Sequence, residues 1–365
     1  MAAPCASKRP LTSRTCHLAW SGPPGQGRGD GVVPDGASGY EEEGSVRPVS
    51  LVTGAAGFIA SHLCERLLAE GHHVIGVDAF TDSYALSQKR GNARVLLAQP
   101  EFELIEGHLT ELDLRPLFER ADYLFHLAAR AGVREGWTPV NFTRYLRDNS
   151  FSTQRLADAA VGASRLKLFV FSSTSSIYGF NPILPTPEDH PLSPVSFYAM
   201  TKVMDEHLLR AYHRLYGVPM AILRYYTLFG PRQRPDMLAH IALRALAEDR
   251  PITIYGDGEQ SRELTYVLDA VDANLRALDV LPVGETFNIG SGPVVTVNEF
   301  IRTMEAVTGK RARLVYADRN PADQLHSQAD ISKARRILGF NPTTTVRAGL
   351  EAEYAWLRRE LLLRT

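Results

Sequence analysis

The sequence predicts an α/β fold: a doubly wound parallel sheet followed by a smaller mixed α/β C-terminal lobe. Three observations predict it. From Val49 onward, short continuously apolar runs alternate with amphipathic helical patterns, which implies parallel strands covered on both faces. The first run passes through Thr53-Gly54-Ala55-Ala56-Gly57 directly into a helix, the strand, glycine turn and helix of a phosphate-cradling unit. Beyond about Thr227 the rhythm loosens, with Pro231, Pro235, Pro251, Pro282, Pro293, Pro321 and Pro342 between shorter elements.

In chain order, the first strand is Val49-Ser50-Leu51-Val52-Thr53, and the helical pattern Phe58–Glu70 follows its glycine turn. Cys64 falls inside that pattern as a small buried hydrophobe. Strands are expected at Val74–Asp78 and Phe102–Glu106, a helix at Leu112–Arg120 and a strand at Tyr123–His126. A helix over Arg144–Val161, a strand at Leu168–Phe171, a helix over Tyr198–Tyr216 and a strand at Met220–Leu223 complete the alternation. The looser remainder holds helices near Leu238–Glu248, Val271–Asp279, Val297–Val307 and Ala348–Leu361. Residues 1–47 are of a different kind. The stretch Ser21-Gly22-Pro23-Pro24-Gly25 and its continuation to Gly31 has too little apolar surface to offset its ordering entropy, and reads as a disordered leader.

Composition narrows the function classes. Apolar residues at 44% and charged residues at 22% are those of a soluble globular protein. A formal charge of −1 predicts no broad attraction to nucleic acid or to an anionic membrane. Cys5, Cys16 and Cys64 are too few and too scattered for a disulfide framework, and no metal site is expected. No run approaches the roughly 20 apolar residues of a membrane span. Lys8, Arg9 and Arg14 have no apolar segment after them, so the start does not read as a secretory signal, and a cytoplasmic location is expected.

Two constellations carry chemistry. At the first, Gly54 and Gly57 let the backbone turn tightly and approach a pyrophosphate at a helix N-terminus, and small Ala60 permits close helix–strand packing. The second strand ends at Asp78, 21 residues after Gly57. A carboxylate there accepts hydrogen bonds from an adenosine ribose and repels a 2′-phosphate, which favours NAD over NADP. The second constellation is Tyr198-Ala199-Met200-Thr201-Lys202. It sets a phenol and an ammonium on one helix face, and a neighbouring positive charge favours the phenolate. Such a pair takes a proton from a sugar hydroxyl while a cofactor takes the hydride. The same spacing also occurs on many solvated helices.

Gly54-x-x-Gly57-Phe58-Ile59, His126-Leu127-Ala128-Ala129, Ser172-Ser173-Thr174 and Tyr198-x-x-x-Lys202 occur in this order, within a match that runs from about residue 49 to 360. Order and spacing resemble the extended short-chain dehydrogenase/reductase superfamily, the NAD-dependent nucleotide-sugar epimerases and dehydratases. The resemblance implies a Rossmann-type NAD-binding domain over 48–226 and a mainly nucleotide-sugar-binding lobe over 227–365. It implies NAD contacts from Gly54, Ala56, Gly57, Phe58, Ile59, Asp78, Leu127, Ala128 and Ala129. Tyr198 is then the general base. Lys202 lowers its pKa and bonds the nicotinamide ribose, and Thr174 gives a hydroxyl to the reacting oxygen. Asn149 matches an asparagine the family keeps near these groups, although mid-helix asparagine weakens helices. One departure stands out: His108 occupies the position where the family carries an acid that contacts the adenine.

The residues after Thr174 separate the reactions. Dehydratases in the family carry Asp-Glu there and UDP-glucuronate decarboxylases Ser-Glu, whereas this chain reads Thr174-Ser175-Ser176. Both acids are missing, and inversion of a ring carbon remains. Asp78-Ala79-Phe80-Thr81-Asp82-Ser83-Tyr84 with Lys89-Arg90, and Arg224 to Met237, are similar to UDP-glucuronate 4-epimerases. Thr227 stands where neutral-sugar 4-epimerases usually have Asn. With Ser175 it is suited to a hexuronate carboxylate, and Arg234 to phosphate or carboxylate. Arg262 resembles the family's diphosphate arginine, with Asp323 orienting it or binding the nucleotide. The expected activity is interconversion of UDP-glucuronate and UDP-galacturonate. The rival readings are a UDP-glucuronate decarboxylase, a neutral UDP-sugar 4-epimerase and a non-catalytic NAD sensor. The family also implies a homodimer through the Arg144–Val161 and Tyr198–Tyr216 helices.

Overall fold

The computed structural model describes residues 47–132, 142–180, 182–319 and 324–362, with side chains described to residue 360. Apart from Arg47, the expected leader lies outside the described residues. The strands are β1 (Val49–Thr53), β2 (His73–Asp78), β3 (Phe102–Glu106), β4 (Tyr123–His126), β5 (Leu168–Thr174), β6 (Met220–Tyr225), β7 (Thr227–Phe229), β8 (Ile252–Tyr255), β9 (Ser261–Tyr266), β10 (Thr286–Ile289), β11 (Val294–Thr296), β12 (Leu314–Ala317) and β13 (His326–Ser327). The helices are α1 (Phe58–Ala69), α2 (Leu86–Leu97), α3 (Arg115–Arg120), α4 (Phe142–Tyr145), α5 (Ser152–Ala160), α6 (Phe197–Tyr216), α7 (Leu238–Ala247), α8 (Val267–Val280), α9 (Val297–Thr308), α10 (Ser332–Leu338) and α11 (Val346–Leu362).

Seven strands pair in the order β10-β6-β5-β4-β1-β2-β3, every pair parallel. Successive strand residues point to opposite faces, and here both faces are covered. Leu51, Ile75, Leu124, Phe169 and Ile222 pack under α3, α5 and α6, through Leu117, Leu156 and Leu209. Their neighbours Val52, Val74, Phe125, Val170 and Leu223 pack on the other side, against Leu63 and Leu67 of α1 and Ala270, Ala273 and Ala277 of α8. That is why the strands read as unbroken apolar runs. The strand order reverses between β1 and β4, and such a switch point is where open parallel sheets place ligands.

The sheet takes its edge strand β10 from residues 286–289, well beyond residue 227, and α8 and α10 return to cover it. The rest of the later chain forms a third core. Phe229, Leu243, Ile254, Phe300, Met304 and Trp356 pack between α7, α9, α11 and two small sheets. In one small sheet β9 lies between β11 and β13 and also pairs with β7; in the other β8 pairs with β12. β7 is thus the splice: it leaves β6 at Tyr225 and joins Thr227 to Leu264 of β9. No helix among the described residues is long and apolar enough to cross a membrane.

Two departures from the expected helices bear on the site. The expected Arg144–Val161 helix is interrupted by a π-helical turn, Leu146–Phe151, a form common at functional sites. α2 is absent from the sequence reading because most of its buried face is polar, with Gln88, Lys89 and Asn92 beside Ala93 and Leu96. Gln88 donates to the Arg232 and Gln233 carbonyls, Lys89 to the Thr81 carbonyl and Asn92 to the Ala56 carbonyl.

Candidate active site

At the switch point the chain leaves β1 and turns at Gly54, whose φ of +74° favours glycine. A Cβ there would lie 3.0 Å from the Ala128 backbone, so the turn and the segment after β4 meet at a distance only glycine permits. Thr53 clasps the two: its hydroxyl accepts from the Ala128 amide at 3.1 Å and donates to His126 Nδ1 at 2.8 Å. The second imidazole nitrogen donates to Thr153 Oγ1 at 3.1 Å, and Thr153 donates to the Asn149 carbonyl at 3.0 Å. Burial holds His126 well below its ordinary pKa, and the nearby Lys202 charge adds to this.

Asp78 closes the other side of the turn. Its buried carboxylate accepts from the Ala56 amide at 3.0 Å and the Phe80 amide at 2.7 Å. Each oxygen keeps a lone pair for a ligand hydroxyl. α1 starts at Phe58 with no side-chain cap, so its first amides remain donors for an anion. A cradle that a Cβ would fill, an uncapped helix start and a carboxylate at the end of β2 together fit a dinucleotide.

The reacting end is built by β5, α6 and the π-helical turn. Ser196 caps α6, accepting from the Ala199 amide at 3.1 Å, which fixes Tyr198 in the first turn and Lys202 one turn on. Thr174, the last residue of β5, lies beside the Tyr198 phenol and favours its ionised form, and caps the short 3₁₀ segment Ser175–Tyr178 through the Ser176 amide at 3.2 Å. Asn149, on the π-helical turn, accepts from the Arg130 amide at 2.8 Å and donates to Thr201 Oγ1 at 2.9 Å. It therefore ties that turn to the helix carrying Tyr198 and Lys202, and explains an asparagine in mid-helix.

Lys202 Nζ donates to the Ser172 carbonyl at 2.8 Å, and burial pulls its pKa down to about 8 against the pull of Asp205 and Glu206. Burial pushes Tyr198 up; Arg234 and the Thr174 hydrogen bond work against that, and Asp205 adds to it. In the protein alone Arg234 is the charge that most favours the phenolate.

One cavity of about 1060 Å³ joins these parts, at the top of the roughly 300–1,000 Å³ range of small-molecule sites. Gly54, Gly57, Phe58, Ile59, Asp78, Leu127, Ala128 and Ala129 line one end, and Thr174, Ser175, Tyr198, Thr227, Arg234 and Arg262 the other. Ala56 and Lys202 are not among the lining residues: the Ala56 amide is taken up by Asp78, and Lys202 lies behind the wall. Arg234 is paired with Asp236. Arg262 is gripped by the Ser261, Gln324 and Leu325 carbonyls, which aligns it at the lobe end. Asp323 lies outside the described residues. His108, in place of the expected acid, bonds Asp148 at 3.1 Å, and Asp148 in turn bonds Arg130 at 2.8 Å.

The loop bearing Arg234 is anchored on the cofactor side. Arg232, at φ +66°, reaches Ser61 at 3.2 Å and Glu65 at 2.6 Å on α1, and His62 bonds the Pro231 carbonyl at 2.9 Å. Sequence reasoning also missed a closed buried network behind Thr174. Glu206 of α6 accepts from Ser173 Oγ at 2.6 Å and from both Nε and Nη2 of Arg224, at 2.9 and 2.6 Å. Arg224 Nη1 donates to Tyr178 at 2.8 Å, whose hydroxyl donates to Asn288 of β10 at 2.7 Å. A glutamate one turn beyond Lys202, with an arginine on the neighbouring strand, was the available signal.

Comparison with known proteins agrees with this geometry. Residues 50–290 match the NAD dependent epimerase/dehydratase family. A protein of Bacillus subtilis described as an uncharacterized UDP-glucose epimerase is 41% identical over 309 residues, covering 84% of this chain and 97% of that one. A UDP-glucuronate 4-epimerase of Thermodesulfobacterium geofontis is 36% identical, over 86% of this chain and 97% of that one. The crystal structure of UDP-glucuronic acid 4-epimerase from Bacillus cereus in complex with UDP-glucuronic acid and NAD superposes with a TM-score of 0.82 at 38% identity, over 86% of this chain and 99% of that one. The chain belongs to the NAD dependent epimerase/dehydratase family, and NAD is its cofactor.

Proposed function

We propose that the protein is a UDP-sugar 4-epimerase whose substrate is a UDP-hexuronic acid, interconverting UDP-glucuronate and UDP-galacturonate. The observation that carries the reading is the set of side chains sharing the cavity with Tyr198: the hydroxyls of Thr174, Ser175 and Thr227, and the Arg234 guanidinium. Neutral donors and a cation suit a carboxylate-bearing sugar. Serines at 175 and 176 leave out the acid pair that elimination requires.

In this reading NAD, when bound, would supply a reversible hydride acceptor for the sugar C4. Asp78 and the Gly54–Gly57 turn hold it, with Lys202 on its nicotinamide side. Tyr198 takes the proton of the C4 hydroxyl and later returns it, and Thr174 orients the reacting oxygen. Arg262 holds the diphosphate, about which the 4-keto sugar rotates. That ketone is a β-keto acid, which loses CO2 when the C5–carboxylate bond stands perpendicular to the carbonyl plane. Ser175 and Thr227 hold the carboxylate away from that alignment. Exposed Phe151, Met200 and Met204, on the paired helical segments around α5 and α6, support a homodimer.

Incubating the purified protein with UDP-glucuronate and separating the products tests the reading. UDP-galacturonate is expected. A UDP-pentose would identify a decarboxylase. No reaction there with turnover of UDP-glucose or UDP-galactose would identify a neutral-sugar epimerase, the reading that the name of the Bacillus subtilis relative favours.

A further inference from the structure

Asp205 has no part in the chemistry above, yet its side chain is wholly sealed from solvent. It lies on α6 three residues beyond Lys202, so the two share a helix face with Cβ atoms roughly 5–6 Å apart. Neither carboxylate oxygen makes a hydrogen bond of ordinary geometry among the described residues; the Ser150 hydroxyl, which makes none either, is among the groups nearest to it. Burying an isolated carboxylate is costly unless a charge compensates it. We infer that Asp205 is a positioning residue for this reaction: it is the counter-charge that keeps Lys202 in its ammonium form on the Ser172 carbonyl, behind the reacting end of the cavity.

The other groups around it do not fill that role. On α6, Glu206 is taken up by Arg224 of β6 and by Ser173 of β5. From the π-helical turn and α5 come only the hydroxyls of Ser150 and Thr153, which lean toward the carboxylate. From β4 comes His126, held neutral by burial. Burial pushes Asp205 up to about 6, and Lys202 gives up its proton at about 8, so both are charged between those values. Asp205 also disfavours the Tyr198 phenolate, but it is the smallest influence there and the largest favourable one on Lys202.

The inference rests on the epimerase reading, and the test separates the two. Asp205→Asn keeps the shape and removes the charge. Losing a neighbouring opposite charge lowers an amine's pKa, here by about one unit, which moves the alkaline limb of kcat to lower pH. With that shift kcat is expected to fall roughly eightfold at pH 8.5 and less than about twofold at pH 6.5, with KM and bound NAD unchanged. Asp205→Ser, smaller and also neutral, should give the same displaced profile. A profile that keeps its shape and drops by one factor at every pH marks a merely structural role and overturns the inference. So does failure of both variants to fold. Wild-type protein inactive on all UDP-hexoses and UDP-hexuronates would instead remove the epimerase reading.

Discussion

Replacing Glu206 by glutamine removes one charge from a closed network while leaving its shape unchanged. Arg224 and Glu206 are 4% and 1% exposed at their side chains, so water cannot take over for either. The carboxylate now receives two guanidinium bonds, at 2.9 and 2.6 Å, and the Ser173 hydroxyl at 2.6 Å. A glutamine offers one oxygen, and its amide group sets hydrogens against a guanidinium that has only hydrogens to offer. Hydrogen bonds to charged groups contribute about 1.5–3 kcal/mol each, and stranding a buried charge costs about 3–5 kcal/mol. Both routes put the loss for Glu206→Gln at about 3–5 kcal/mol, a large share of the 5–15 kcal/mol typical of a folded protein. Urea denaturation followed by circular dichroism at pH 7 reads it directly. The double variant Glu206→Leu/Arg224→Met, which removes both charges, should recover most of the loss. A single variant within about 1 kcal/mol of wild type, or a double variant no better than the single, would refute the argument that charge pairing holds β5, β6 and α6 together.

Two further outcomes follow from the site. Tyr198→Phe should abolish turnover and still retain NAD, measured in the supernatant of denatured protein; substantial residual turnover would show that another group is the base. Thr227→Ala should release more CO2 per epimerisation than wild type, by about tenfold or more, since it removes a bond of about 1.5–3 kcal/mol to the carboxylate. Labelled UDP-glucuronate measures that ratio, and equal ratios in the two proteins would take the carboxylate-holding role away from Thr227.

The central sheet was legible because a strand covered on both faces must be apolar at every position, as in Leu168-Phe169-Val170-Phe171. β10 was not. Its four residues, Thr286 to Ile289, alternate polar and apolar and gain their place by pairing with β6. α2 hid for a related reason: Gln88, Lys89 and Asn92 are buried by hydrogen bonding, which leaves only Ala93 and Leu96 for an apolar stripe. At the site, Tyr198, Lys202 and Thr174 were found through motif spacing. What spacing cannot convey is the state of a group once buried. Motif spacing names Lys202, but neither the burial that lowers its pKa nor the Arg234 charge that favours the phenolate.

The clamp of Arg232 on Ser61 and Glu65 bears on how the sugar preference could be re-engineered. Exchanging the later part of the chain for that of a relative looks modular, because it carries Thr227, Arg234 and Arg262 together. Yet the loop that aims Arg234 is moored to α1 and, through Gln88, to α2, both of which the recipient would supply. A chimaera joined near residue 227 would inherit the arginine without its mooring, so the graft must bring positions 61, 62, 65 and 88 with it.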